Sequence, residues 1–276
     1  MRVGLIQLNA SDDPTENLRQ TLKFVRSAID DGADLVLTPE VTNCVSASRP
    51  RQTEVLQTES EDVTLAALRD VARNSQVPIL IGSLALKQDG VDDRFVNRSI
   101  LIDGHGTVAA RYDKIHMFDI QVSETESYQE SKGYRPGEEA VLADVAGASL
   151  GMTICYDLRF PHLYRTLAHA GAQIVSIPSA FTKPTGEAHW EVLLRARAIE
   201  TGCFVLAPAQ CGTHAAVQGR ARQTYGHSLA VDPWGRVLAD GGEEPGVTMV
   251  DLKLEDVDDA RRRIPSLKHD RDYVAP

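Results

Sequence analysis

The chain repeats itself, and no other feature of the sequence constrains its fold as much. LGMTICYD (Leu150–Asp157) echoes VGLIQLN (Val3–Asn9). GAQIVSIPS (Gly171–Ser179) echoes GADLVLTPE (Gly32–Glu40), and SLAVDPWGRVLA (Ser228–Ala239) echoes SILIDGHGTVAA (Ser99–Ala110). The order is the same in both halves. In the last pair Asp103/Asp232, Gly106/Gly235 and Val108/Val237 keep one offset. A repeat of this kind is a structural unit used twice. Within the first unit Val3–Leu8 is an apolar run, read as a buried strand. Leu18, Leu22, Val25, Ala28 and Ile29 give helical spacing over Thr15–Asp31, which Gly32 stops. Asp34–Leu37 is a second strand, ended by Pro39. Glu61–Asn74 reads as a helix through Val63, Leu65, Leu68 and Val71, and Pro78–Leu86 as a strand. Arg98–Asp103 and Thr107–Tyr112 flank Gly104-His105-Gly106, a hairpin signal. Each half is therefore β-α-β-α-β-β. A sheet with helices on one face must bury the other. Stacking two such sheets predicts an α/β chain folded as a four-layer αββα sandwich. No linker or low-complexity segment separates the halves, so one domain over residues 1–276 is expected. The long stretches Val41–Ser60 and Met117–Glu139 are expected to be irregular, and loops of that length usually carry function.

Composition narrows the partners. Lys and Arg number 29 against 39 Asp and Glu, a formal net charge of −10. Such a surface lacks the basic footprint of a nucleic-acid or anionic-membrane binder. It leaves room for a local cationic pocket. Cys44, Cys155, Cys203 and Cys211 are too scattered for a disulfide framework and form no CxxC pair, so no metal site is expected. MRVGLIQLNASDDP lacks the apolar run of a signal peptide, and no stretch approaches a membrane span. The expectation is a soluble, cytoplasmic protein.

Four positions are suited to chemistry. Cys155 ends a strand and opens a turn into the next helix. A thiol there is either a packed core residue or a presented nucleophile with backbone N–H groups behind it. Glu40 follows the strand Leu35–Thr38, and by the repeat it matches Ser179. It is either a solvated loop carboxylate or a base at a sheet edge. Lys114, just past Thr107–Tyr112, is either a surface cation or a fixed charge for an oxyanion. His116, two residues on, is an alternative base. In the helical segment Ala188–Thr201, Glu191/Arg195 and Arg197/Glu200 sit at pairing distances. This segment is either solvated or faces a second subunit, with Trp190 as anchor.

Together LVLTPE (Glu40), YDKIHMFD (Lys114) and ICYDLRFP (Cys155) resemble the nitrilase, or carbon–nitrogen hydrolase, superfamily, in the chain order of its Glu–Lys–Cys triad. The resemblance runs from VGLIQLN to RIPSLKHDRDY. It implies an αββα fold and a cysteine amidase that needs no cofactor. A second glutamate is implied in YQESKGYRPG, at Glu130, with Glu124 and Glu126 as alternatives in the same loop. IPSAF, TGEAHWEVLLRARAIETGCFV, APAQCGTH and YGHSLAVDPWG are similar to the Nit-type amidases, in particular the deaminated glutathione amidase branch. Gly186-Glu187 departs from the Gly-Pro usual there, beside an expected pocket wall. The resemblance implies that Glu40 is the base and that Lys114 and the N–H of Tyr156 hold the oxyanion. Arg159, four residues after Cys155, and Lys183, in the loop after the strand Ile174–Pro178, are the candidate cations for a substrate carboxylate, with Ser179 and Phe181 as further expected contacts. The partner is then a small amide, and a homodimer is expected. The ω-amidases, carbamoyl-amine hydrolases and acyltransferases with the same triad are the competing readings.

Overall fold

The computed structural model describes residues 1–88, 90, 92–121, 127–219 and 221–274. Two six-strand runs dominate it. The first sheet contains β1 (Arg2–Gln7), β2 (Leu35–Leu37), β3 (Ile79–Leu86), β4 (Phe95–Ile102) and β5 (Val108–Asp113). The second contains β6 (Val141–Val145), β7 (Ala148–Met152), β8 (Ile174–Ser176), β9 (Phe204–Ala207), β10 (Leu229–Val231) and β11 (Val237–Asp240). A last strand, β12 (Gly246–Asp251), returns to the first sheet. The strand orders are β12-β1-β2-β3-β4-β5 and β11-β10-β9-β8-β7-β6, and the short strand Tyr134–Arg135 pairs with β4. The runs are equivalent. β1 and β7 pair in parallel with β2 and β8, through Val3 opposite Leu35 and Leu150 opposite Ile174. Each also carries an antiparallel neighbour on its other side, β12 beside β1 and β6 beside β7. Those neighbours are exchanged along the chain, since β12 follows the second unit and β6 precedes it.

The hairpin echo is reproduced atom for atom. Asp103 Oδ1 accepts from the N–H groups of His105 and Thr107, both at 2.8 Å. Asp232 Oδ1 accepts from those of Trp234 and Arg236, both at 2.9 Å. Gly106 and Gly235 take φ of 76° and 84°, a region in which a side chain is strained.

Strand alternation builds the layers. Val3, Leu5, Leu35, Leu37, Leu80 and Leu101 face the second sheet and share one core with Leu150, Met152 and Ile174. Ile6, Val36, Ile79, Ile81 and Ile100 face the other way. They meet Val25 and Ala28 of α1 (Pro14–Asp30) and Leu65 and Leu68 of the Val63–Ser75 helix. On the far side Leu163, Leu167, Leu194 and Ala198 of the helices Pro161–His169 and Lys183–Thr201 join the shared core. This is the four-layer αββα arrangement. The stretch after Glu40 is less irregular than expected. It holds a short helix, α2 (Arg49–Val55), capped by Ser48 and started by Pro50. In chain order the remaining helices are α3 (Val63–Ser75), α4 (Pro161–His169), α5 (Lys183–Thr201) and α6 (Glu255–Arg263). α5 starts five residues before the spacing predicted, because Pro184 supplies a helix start. Among the described residues no helix is long and apolar enough to cross a membrane.

Candidate active site

The two sheets meet at their strand ends, and there the predicted residues converge. Glu40 leaves β2 after Thr38-Pro39, and Val41 takes φ of 47° to turn the chain away. Cys155 leaves the end of β7 with φ of 49°. A non-glycine residue in this region costs of order 1–3 kcal/mol and persists only where surrounding structure holds it. Asp157 is that holder. Buried, it accepts from the N–H of Ile154 at 2.8 Å and from Tyr112 Oη at 2.6 Å. It also accepts from the N–H of His116 at 3.0 Å. One carboxylate thus ties the cysteine turn to residues on both sides of Lys114.

Lys114 is almost wholly buried. Its Nζ donates to Glu40 Oε1 at 3.0 Å and to Glu130 Oε1 and Oε2 at 3.0 and 2.9 Å. Glu130 also accepts from the N–H of Phe118 at 2.6 Å. Asn97 Nδ2 donates to Glu40 Oε1 at 2.9 Å and approaches Glu130 Oε1 at 3.4 Å. The other Glu40 oxygen accepts from the N–H of Ala180 at 2.9 Å. Such a buried ion pair costs desolvation, which complete hydrogen bonding offsets.

The charges follow. Burial alone would raise Glu40, but Lys114, with Arg222 behind it, holds the carboxyl below its ordinary value. Burial would lower Lys114, but Glu130 and Glu40 hold it well above. Burial and the facing Glu40 carboxylate push the Cys155 thiol up, more than Lys114 pulls it down. The resting state is therefore thiol, carboxylate and ammonium. Glu40 is placed to receive the proton when the sulfur attacks.

A cavity of about 770 Å³ opens over these groups. Glu40, Lys114, Glu130 and Cys155 all line it, as do Phe181 and Lys183. Three expected contacts fall elsewhere. Ser179 is fully buried, its Oγ turned to the Ile177 carbonyl at 3.0 Å. Arg159 lies over the rings of Phe181 and Tyr156, 5.6 and 5.9 Å from their centroids, behind the wall. Tyr156 packs its ring edge-on to Phe118 and Phe160 and does not line the cavity. His116 stacks on Phe160 at 3.5 Å with Nδ1 2.7 Å from Asp157, which occupies it structurally. Glu187 is exposed and off the cavity, so the departure at Gly186-Glu187 leaves the wall untouched. Glu124 and Glu126 lie outside the described residues. Trp190 is 2% exposed, packed on Phe181 and bonded to the His227 carbonyl, and cannot anchor a partner subunit.

Asn97 and Arg222 were not anticipated. Asn97 sits in β4, which begins three residues before the predicted strand; a buried polar residue in the run FVNRSILI was the available signal. Arg222 lies in a loop with no pattern to mark it.

Residues 2–262 match the carbon-nitrogen hydrolase family. The deaminated glutathione amidase of Yersinia enterocolitica is 39% identical over 98% of this chain and 92% of its own. The human protein of that name is 37% identical over 98% and 82%. Among solved structures, the C. elegans NitFhit protein superposes with a TM-score of 0.90 at 33% identity, over 98% of this chain and 65% of that one. A mutant of the amidase from Nesterenkonia sp. AN1, with the acetamide moiety of fluoroacetamide added covalently at its active-site cysteine, gives 0.80 at 28% identity over 98% and 94%.

Proposed function

This chain belongs to the carbon–nitrogen hydrolase family, and from that premise we propose that it cleaves the side-chain amide of deaminated glutathione through a thioester on Cys155. The observation that carries the chemistry is the Glu40–Lys114–Glu130 ion network beside the strained Cys155 turn. The Cys155 sulfur attacks the amide carbonyl while its proton passes to Glu40. Lys114 and the N–H of Tyr156 stabilise the oxyanion. As the C–N bond breaks, Glu40 returns the proton to the leaving nitrogen, and cysteinylglycine departs. Water, deprotonated by Glu40, then attacks the thioester. The C–S bond breaks, Cys155 regains a proton, and 2-oxoglutarate is released. Glu130 keeps Lys114 oriented throughout.

The substrate reading rests on the relatives' names and on the cavity, which is larger than a simple amide requires. The test compares kcat/KM for deaminated glutathione and for a simple ω-amide of a 2-oxo dicarboxylic acid, with Cys155→Ala as control. The larger substrate should win. A tenfold advantage for the simple amide, ~1.4 kcal/mol of transition-state binding, would identify an ω-amidase instead. Four unpaired cysteines suit a reducing compartment, and we assign the enzyme to the cytoplasm. We also assign it a homo-oligomer. Its contact face is the exposed apolar patch of Val192, Ile199 and Trp234, which takes the place of Trp190.

A further inference from the structure

The cavity is cationic although the chain is acidic. Arg49, Lys114, Lys132, Lys183 and Arg222 line it against two carboxylates, Glu40 and Glu130. Two of these charges are committed. Arg49 donates to the carbonyls of Gly133 and Asp93 and stacks 3.6 Å over Phe95. Lys114 is held between the two glutamates. Lys132 is exposed.

Arg222 is different. Its Nη2 donates to the Ala180 carbonyl, and its guanidinium lies 5.7 Å from the Tyr128 ring centroid. Its Nε is buried and has no hydrogen-bond partner among the described residues. Only three buried side-chain polar atoms among the described residues are in that condition. Two of them, Arg222 Nε and Asn97 Oδ1, belong to residues lining this cavity. Leaving a buried donor unpaired costs roughly 1–3 kcal/mol. A ligand that brings an acceptor recovers it. Ala180 sets the distance scale: its N–H holds Glu40 and its carbonyl holds Arg222, so the guanidinium and the reacting carboxylate are bound to the two sides of a single residue. A β-bridge between Thr182 and Thr224 brings the segments of Lys183 and Arg222 side by side on the cavity wall.

We propose that Arg222 is a specificity-determining residue that binds a carboxylate of the substrate, with Lys183 beside it. This rests on the amidase reading above and names the substrate class more closely: amides that carry a free carboxylate on the chain leading to the scissile bond. A guanidinium offers two parallel donors to a carboxylate, a fit that an ammonium lacks. The rival role for Arg222 is to balance the charge of Glu40, which would affect every amide alike.

The experiment measures kcat/KM for an ω-amide of a 2-oxo dicarboxylic acid and for neutral butyramide, in the wild type, Arg222→Gln and Arg222→Lys. The anionic-to-neutral ratio should fall about 30–100-fold in Arg222→Gln, mostly through KM, and less in Arg222→Lys. A ratio unchanged within about threefold overturns the proposal, since Arg222 then acts only through Glu40 or the fold. In a Cys155→Ala background, calorimetry should show that Arg222→Gln, or Arg222→Lys should the first variant not fold, weakens 2-oxoglutarate binding. Unchanged binding also overturns the proposal. A wild type that hydrolyses neither these amides nor deaminated glutathione defeats the amidase reading, and the binding measurement still decides Arg222.

Discussion

Asp157 touches no substrate, yet the reacting groups depend on it, because its two oxygens are shared between the cysteine turn and the segment carrying Lys114. Asp157→Asn removes acceptor capacity from one of those segments. We expect kcat to fall by ~10-fold or more with KM little changed, and stability to fall by about 1–3 kcal/mol; a change confined to KM would contradict a positioning role. Glu40→Gln keeps the shape and removes the base, and steady-state kinetics should show a loss of at least ~10²-fold. The pH profile follows from the signs. Glu40 is held below its ordinary 4.5 and Lys114 above its ordinary 10.5, so both keep their working charges across neutral pH. The acid limb of kcat/KM should therefore lie below pH 4.5. An acid limb above pH 4.5 would remove Glu40 from the base role. The reacting set was legible in the sequence because each member ends or follows a strand in a recognisable string. Asn97 was not, because its strand was read too short. Arg222 was not, because only the tertiary bridge from Thr224 to Thr182 gives its loop an address. Arg159 and Ser179 were misplaced for one reason: nearness in sequence to Cys155, or equivalence to Glu40, does not fix which side of the wall a side chain takes.

At the level of elements, the segment bearing Arg222 is pinned by a neutral histidine. His214 Nδ1 donates to the Ala10 carbonyl at 2.6 Å, and Nε2 accepts from Thr224 Oγ1 at 2.7 Å. Burial, with the nearby Arg222 charge, lowers its pKa from 6.5 to about 4, against the raising effect of the Ala10 carbonyl. Between those values the unfolded chain binds more protons than the folded one, so stability must fall as pH drops from 6.5 toward 4. The loss approaches about 3 kcal/mol, and His214→Gln should flatten the slope in denaturant titrations at stepped pH. A second pin is Gly82, at the irregularity in β3 where the pairing with β4 shifts. A Cβ there would lie 1.9 Å from the Thr38 carbonyl oxygen and 2.5 Å from Pro178. Gly82→Ala should cost roughly 1–3 kcal/mol by overpacking, read as a drop in Tm. The central strands and the Asp–Gly hairpin of each half were visible from periodicity and the repeat, whereas the edge strands β6 and β12 were not, since no echo or alternation marks Val141–Val145 or Gly246–Asp251. α2 was not, since its seven residues carry too few apolar positions to show a period, and its cap and proline were the only markers.

On the scale of the molecule, the exposed face of α5 and the β10–β11 turn offers an apolar surface. Val192 is 70% exposed, Ile199 55% and Trp234 42%. If two copies meet there, Ile199→Glu should shift light scattering from dimer toward monomer at micromolar concentration while leaving the circular dichroism unchanged; a wild type that is already monomeric removes the interface. The exchange of β6 and β12 between the two units has a consequence for how the protein is made. A ribosome releases β1 more than 200 residues before β12, so β1 leaves the exit tunnel with one edge unpaired. At roughly 5–20 residues per second, that edge stays open for about 10–50 s, whereas β6 and β7 emerge together and close at once. The nascent first half is thus the stage at which this chain is most exposed to aggregation, and the point at which a holding chaperone would matter most.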